Sequence, residues 1–340
     1  MENDVKWSEL SFGYRKTDYN VRCFYRNGQW GELEISSSEV IPIHMSATCL
    51  HYGQEAFEGL KVFRGKDGKI RVFRVDRNAQ RLQSSARGLV MAEFPTAKFE
   101  EAVGKAVKLN ERFIPPYGSG ASLYIRPLLI GMSAFVGVKP SEEYLFLIFV
   151  TPVGPYFKTG FKPVPVCIMR SFDRAAPQGT GCYKVGGNYA ASLIAGQKAY
   201  EKGYAAVLYL DPREKLYLDE CGPANFLAIR NNTYITPASN SILPSITNES
   251  LIQLAADMGL KVERRPVPVS ELDSFEETAE CGTAAVITPI SRIDDLDENR
   301  SWVYSKDGKP GPVCEKLYKR LSAIQTGDAP DPYGWVRIIE

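Results

Sequence analysis

Lys184 is the residue whose setting first suggests chemistry. It lies in the stretch GTGCYKVGGNYAAS, from Gly179 to Ser192, among four glycines and beside Tyr183, Val185 and Tyr189. Glycines at this density let something bulky approach the backbone. A lysine in an apolar, aromatic setting loses hydration, its pKa falls, and the neutral amine can attack an aldehyde to form an imine. Taken alone, a lysine in such a loop is more often simply solvated, so its chemistry depends on what else the chain supplies.

Competing chemistries lack their parts. The stretch from Gly59 to Lys66 is one residue too long for a Walker A loop and has Asp67 where Ser or Thr is needed, and GTGCYK lacks the third glycine of a dinucleotide fingerprint. Gly131-Met-Ser133-Ala-Phe135 lacks the closing glycine of a nucleophile elbow. The only histidines are His44 and His51, which leaves few candidates for a Ser-His-Asp triad or a histidine metal site. Seven scattered cysteines form no C-x-x-C pair, so neither a disulfide framework nor a structural zinc site is expected, and no metal is assigned.

An imine-forming lysine points to pyridoxal phosphate, and that cofactor needs two further things. One is a cationic and backbone-amide cradle for its phosphate; the other is an acid that keeps the pyridine nitrogen protonated, so that the ring can act as an electron sink. In LPSITNESLIQLAADMG, Ser245 or Thr247 is a candidate cap for a helix whose free amides at Ile246 and Thr247 suit a phosphate. Glu220, in YLDECGPANF, reads as lying in a Gly/Pro turn between strands and is the candidate acid.

These groups must be held by elements that the pattern outlines. In the first half, Val21–Tyr25 and Trp30–Ile35 flank an Asn27-Gly28 turn, and Leu60–Arg64 and Ile70–Arg74 flank Lys66-Asp67-Gly68, two hairpin signals. Asp76 is the expected N-cap of a helix carrying Arg77, Arg81, Leu82 and Leu89; Phe99, Val103, Ala106, Val107 and Phe113 keep helical spacing in the next. Ala121–Ile130 and Tyr144–Val150 are apolar enough to be buried strands. Four prolines and two glycines between Thr151 and Pro165 mark an interdomain connection. The second half alternates strands and helices: Val166–Met169, Tyr189–Lys202 stopped at Gly203, Ala205–Leu210, a hairpin across Asn231-Asn232, Asn248–Met258 stopped at Gly259, Ala284–Ile290 and Val313–Ile324.

At 340 residues the chain is long enough for two domains. They are expected at 1–152, a small N-terminal domain, and 166–340, a larger cofactor-binding domain, with 153–165 as the loop between. Lys plus Arg number 41 against 40 Asp plus Glu, so no strong overall field attracts nucleic acid, an anionic membrane or an acidic protein. The first ten residues carry Glu2, Asp4, Lys6 and Glu9, unlike a signal or transit peptide, and no apolar run approaches the ~20 residues of a membrane span. A soluble, cytoplasmic protein acting on small molecules is expected.

Four collinear stretches, FEGLKVFRG with the upstream HYG, SLYIRP, GCYKVGGNYA and ECGTA, resemble the branched-chain amino-acid aminotransferases, pyridoxal-phosphate enzymes of fold type IV. The resemblance runs over nearly the whole chain, and KVGGNYA is its most specific part. It implies an α+β / α/β fold, with a small mixed domain and a larger one built on a barrel-like sheet flanked by helices. It also implies reversible transfer of the amino group of L-leucine, L-isoleucine or L-valine to 2-oxoglutarate by a ping-pong mechanism. D-amino-acid aminotransferases and aminodeoxychorismate lyases of the same fold are the nearest alternatives, and a non-catalytic cofactor carrier a more distant one. The FEGLK and KVGGNYA stretches and the longer chain favour the branched-chain branch.

By that resemblance Lys184 would be the Schiff-base lysine and the base that moves the proton between substrate Cα and cofactor C4′. Tyr189 would bond the cofactor's phenolic oxygen, and Glu220 would pair with its pyridinium nitrogen. Arg81, the amides of Ile246 and Thr247 and the hydroxyl of Thr283 would hold the phosphate. Thr283 and Ala284 would present amides to the substrate carboxylate, helped by Tyr52. Phe12, Tyr52, Tyr124 and Tyr156 match pocket-wall positions, with Tyr156 on a movable cover, and Arg126 matches the residue that meets the distal carboxylate of glutamate. Val138 matches a residue reaching a neighbouring subunit's pocket, which implies a homodimer. Mammalian relatives carry a redox-sensitive C-x-x-C just after the GTA motif; Ala285 and Thr288 stand there, so that switch is not expected. Cys182 and Cys221 are then the thiols nearest the site motifs, or small buried fillers.

Overall fold

The computed structural model describes residues 5–154 and 161–340. The chain divides into two compact units, one made of Met1–Lys158, Tyr183–Gly186 and Ala323–Glu340, the other of Thr159–Cys182 and Gly187–Ser322. The short return of Tyr183–Gly186 places the lysine motif in the first unit.

The first unit is an antiparallel sheet of nine strands. Its order along the main path is Val336–Ile339, Ile70–Phe73, Leu60–Arg64, Ser122–Gly131, Tyr144–Val153, Asn20–Arg26 and Gln29–Trp30. Glu55–Phe57 adds to the Ser122–Gly131 strand, and Glu34–Ser36 to the Asn20–Arg26 strand. The Asn27-Gly28 turn forms with both residues in the left-handed region, φ 52° and 80°, as a two-residue hairpin demands. Helices Val75–Gly88 and Thr96–Leu109 bury Leu82, Phe99, Val103 and Val107 with Val21, Val62, Ile125, Phe146 and Ile148 of the sheet. The first of these helices starts differently from its sequence signal. Asp76 lies in its first turn, and Arg74, at φ 51°, occupies the cap position with no side-chain capping bond.

The second unit has nine strands in a mixed sheet. Six of them close on themselves in the order Leu218–Cys221, Ala206–Leu210, Val164–Ile168, Val286–Asp295, Glu277–Gly282 and Ala224–Arg230, the last pairing back to the first. This ring is the barrel-like sheet expected for the larger domain. Alternate side chains, among them Val164, Val166, Ile168, Leu208, Leu210, Phe226 and Ile290, form one cluster that fills it. Cys167, Val207 and Tyr209, from the opposite faces of the same strands, cluster with Ala195 and Ala199 of helix Gly186–Glu201. Thr233–Pro237 and Lys261–Arg265 extend the sheet beyond the ring. No helix among the described residues is long and apolar enough to cross a membrane.

Candidate active site

The candidate residues fall into two sets, one in each unit. In the first, Lys184 lies in the loop just before helix Gly186–Glu201 and is half-buried. Its main chain is held on both sides: its N–H donates to Ser85 Oγ at 3.0 Å, and its carbonyl accepts from Phe57 N at 3.1 Å. Gly186 N–H donates to the Glu55 carboxylate, and a Cβ on Gly186 would overlap that carboxylate. The glycine of KVGG is therefore required by a close approach from Glu55–Phe57. Lys184 Nζ stands 4.6 Å from the centroid of the Phe57 ring.

The FEG stretch explains itself in the same unit. Glu58 is fully buried and grips Arg81 with two parallel bonds, Nε to Oε1 at 2.7 Å and Nη2 to Oε2 at 2.8 Å, the bidentate geometry that suits a guanidinium. Asn78, one turn earlier on the same helix, donates to Glu58 Oε2 at 2.7 Å. A Cβ on Gly59 would collide with the Tyr124 hydroxyl. Tyr124 packs edge-on against Phe12, with ring centroids 5.1 Å apart. Arg126 lies over Phe57 and Tyr124, 4.9 Å and 5.3 Å from their centroids, and donates to the Tyr124 hydroxyl at 3.3 Å, while its buried Nε has no hydrogen-bond partner among the described residues. Lys61, cross-strand from Tyr124, is buried deeply enough to push its pKa down to about 8. Tyr52 donates to the carbonyl of Val136, in an exposed loop that also carries Val138. Tyr156 lies outside the described residues.

In the second unit Glu220 is not in a turn. It belongs to the strand Leu218–Cys221 and is 3% exposed, because the Gly222-Pro223 turn begins only after the chain has paired with Ala224–Arg230. Asn225 Nδ2 donates to its Oε2 at 2.6 Å and Leu243 N to its Oε1 at 3.0 Å. Arg174 Nε stands 2.9 Å from Oε1, out of line for a hydrogen bond, while Nη2 donates to the carbonyls of Gly181 and Ser241. Burial outweighs these partners and pushes the Glu220 carboxyl up to about 7. Arg174 has no local signal, since it lies far from Glu220 in the chain and the two meet only in the folded second unit.

Of the two proposed caps, Ser245 is the one used. Its hydroxyl accepts from Asn248 N at 3.2 Å, so Ile246 and Thr247 are the first residues of helix Ile246–Asp257. The Asn225 and Leu243 contacts tie this end of the helix to Glu220. Tyr189 is half-buried on helix Gly186–Glu201. Thr283 and Ala284 form the turn between Glu277–Gly282 and Val286–Asp295; the strand expected from Ala284 starts at Val286. Cys221 is buried and Cys182 half-buried. Among the described residues no group of His, Cys, Asp and Glu is placed to hold a metal.

The first unit thus holds a clamped lysine and a largely buried arginine, and the second a buried acid and a capped helix start. The model of the class IV aminotransferases matches residues 55–293. This chain belongs to that family. A branched-chain-amino-acid aminotransferase of Haemophilus influenzae is 44% identical over 99% of both chains. Among solved structures, the branched-chain amino acid aminotransferase of Escherichia coli superposes with a TM-score of 0.78, at 27% identity, over 96% of this chain and all of that one. The branched-chain amino acid aminotransferase of Thermobaculum terrenum, solved in its PLP-form, also gives 0.78, at 25% identity, over 96% of this chain and 100% of that one.

Proposed function

We propose that this chain moves the amino group of L-leucine, L-isoleucine or L-valine onto 2-oxoglutarate, reversibly and in two half-reactions, with pyridoxal phosphate as cofactor. Full-length identity to branched-chain aminotransferases supports the amino-acid class. The glutamate half rests on one observation above all, the Arg126 guanidinium over the rings of Phe57 and Tyr124 with a buried Nε that has no hydrogen-bond partner among the described residues. Aromatic walls accept an aliphatic side chain by apolar burial, while the half-buried guanidinium can be met by a distal carboxylate.

Each unit carries residue types that suit part of the cofactor. When bound, pyridoxal phosphate supplies the electron sink for breaking the substrate's Cα–H bond. Lys184 would hold it through its amine and would be the group that takes and returns the substrate Cα proton. Glu220 pairs with the pyridinium nitrogen, whose positive charge favours the carboxylate form of an acid otherwise poised near 7. Tyr189 bonds the phenolic oxygen. Arg81, the amides of Ile246 and Thr247 and the Thr283 hydroxyl would hold the phosphate; Thr283, Ala284 and Tyr52 would orient the substrate carboxylate, and Phe12 and Tyr124 would wall the side chain, with Tyr156 added only by the sequence resemblance.

A homodimer is part of the proposal. Met45, Val136 and Val138 are each more than four-fifths exposed, an apolar face of the kind that a second copy covers. Sedimentation should give twice the chain mass.

Initial rates with L-leucine and with D-alanine, each against 2-oxoglutarate, test the assignment. Transfer from L-leucine alone is expected; transfer from D-alanine alone overturns it. Arg126→Met should raise KM for 2-oxoglutarate about 10- to 100-fold, the scale of a lost charge-assisted bond, with little change for 2-oxoisocaproate.

A further inference from the structure

We infer that Glu58 is the positioning residue that sets Arg81 for the cofactor phosphate. This role follows from the proposed function, in which Arg81 is a phosphate ligand. Glu58 touches no substrate in that scheme; it acts through the guanidinium.

Glu58 is 0% exposed and the Arg81 side chain 12% exposed, so the pair is held in a low-dielectric setting where an uncompensated carboxylate would be costly. Both carboxylate oxygens are committed. Oε1 accepts from Arg81 Nε, and Oε2 accepts from Arg81 Nη2, from Asn78 Nδ2 and from Gly59 N at 3.2 Å. The acid is thus fixed from two directions, by helix Val75–Gly88 through Asn78 and by its own backbone through Gly59. An arginine side chain gives up several rotatable bonds to be ordered. Here that ordering is made by Glu58 before any phosphate arrives, and preorganisation of this kind raises affinity.

Charge and position pull in opposite directions, which makes the inference sharp. Glu58 is an anion close to the proposed phosphate-binding arginine, so by relief of Coulomb repulsion alone its removal tightens phosphate binding. If Glu58 acts by positioning, its removal loosens phosphate binding and leaves the rest of the cofactor's contacts alone.

The test compares pyridoxal phosphate with pyridoxal, which lacks the phosphate, as ligands for the cofactor-stripped full chain, read by absorbance titration. Glu58→Gln should weaken pyridoxal phosphate about tenfold or more, the scale seen when outer-shell partners are removed, and leave pyridoxal within about twofold. Asn78→Leu, which frees only one contact to Glu58, should shift the same ratio in the same direction by less, and serves if Glu58→Gln does not fold. Tighter binding of pyridoxal phosphate by Glu58→Gln, or equal weakening of both ligands, overturns the positioning role. Arg81→Leu separates the two levels. If it keeps the parent's preference for the phosphorylated ligand, the Arg81 assignment itself fails; if it loses the preference while Glu58→Gln keeps it, only the role of Glu58 fails.

Discussion

Each unit contains one buried arginine–glutamate pair among the site residues, and the two pairs are built in opposite senses. In Arg81–Glu58 the glutamate is saturated by four hydrogen bonds, two of them from one guanidinium in parallel, and the arginine is the proposed ligand. In Arg174–Glu220 the arginine is turned toward two backbone carbonyls and meets the acid out of line, and the glutamate is the proposed ligand. The difference decides what each pair can do. A fully satisfied carboxylate holds a cation still, whereas an incompletely compensated one, pushed up to about 7 by burial, is left to gain from a new cation such as a pyridinium.

The largest effect expected from disturbing this contrast is at Glu220. Glu220→Gln keeps the shape but accepts at only one of the two oxygen positions used by Asn225 Nδ2 and Leu243 N, and its neutral amide cannot pair with a pyridinium. Turnover should fall roughly 100- to 1,000-fold, as when one preorganised electrostatic partner is lost, with cofactor still bound at purification. Unchanged turnover would remove Glu220 from the chemistry. Arg174→Met comes next. Arg174 holds the Glu220 carboxyl down against burial, so without it that carboxyl titrates higher; the acid limb of the kcat profile should move to higher pH, with a larger loss at about pH 6.5 than at about 8.5. Glu58→Gln should not move that limb. If both variants shift it alike, the two pairs do not play different parts.

Glu280 supplies the smallest and cleanest comparison, a buried glutamate with no arginine partner among the described residues. It lies on the barrel strand Glu277–Gly282 opposite Phe226, with Oε2 unpartnered and its carboxyl pushed up to about 7 by burial. Its folded pKa stands above the ordinary carboxylate value, so between about 4.5 and 7 the folded chain holds a proton that the unfolded chain has released. Stability therefore falls as pH rises through that window. Glu280→Gln should raise the melting temperature of the protein at about pH 8 by a few degrees, and by less at about pH 5. A gain that is equal at both pH values would mean that Glu280 is not neutral in the fold.

What could be read from the sequence follows from how local each signal is. Lys184, its glycines and the FEG stretch are contiguous motifs, and the Asn27-Gly28 hairpin depends on two adjacent residues. Helix Gly186–Glu201 starts three residues before Tyr189, because Glu55 receives the Gly186 N–H and offsets the poor helical propensity of two glycines. Glu220 reads as a turn residue from its Gly/Pro neighbours, yet cross-strand pairing buries it. Lys261–Arg265 is too charged to read as a strand and exists as one at the edge of the sheet. The partners Arg174 and Asn78 became visible only once strands and helices were in place. Neither lies in a motif that names a ligand.

The central claim is that Lys184 anchors the cofactor of a class IV transamination. An absorbance scan of purified protein, with and without L-leucine, tests it most directly when parent and Lys184→Ala are run side by side. The parent should show a visible band that shifts with L-leucine and returns with 2-oxoglutarate, and Lys184→Ala should fold but lack it. A Lys184→Ala protein with the parent's band, or a parent band indifferent to L-leucine, would contradict the account.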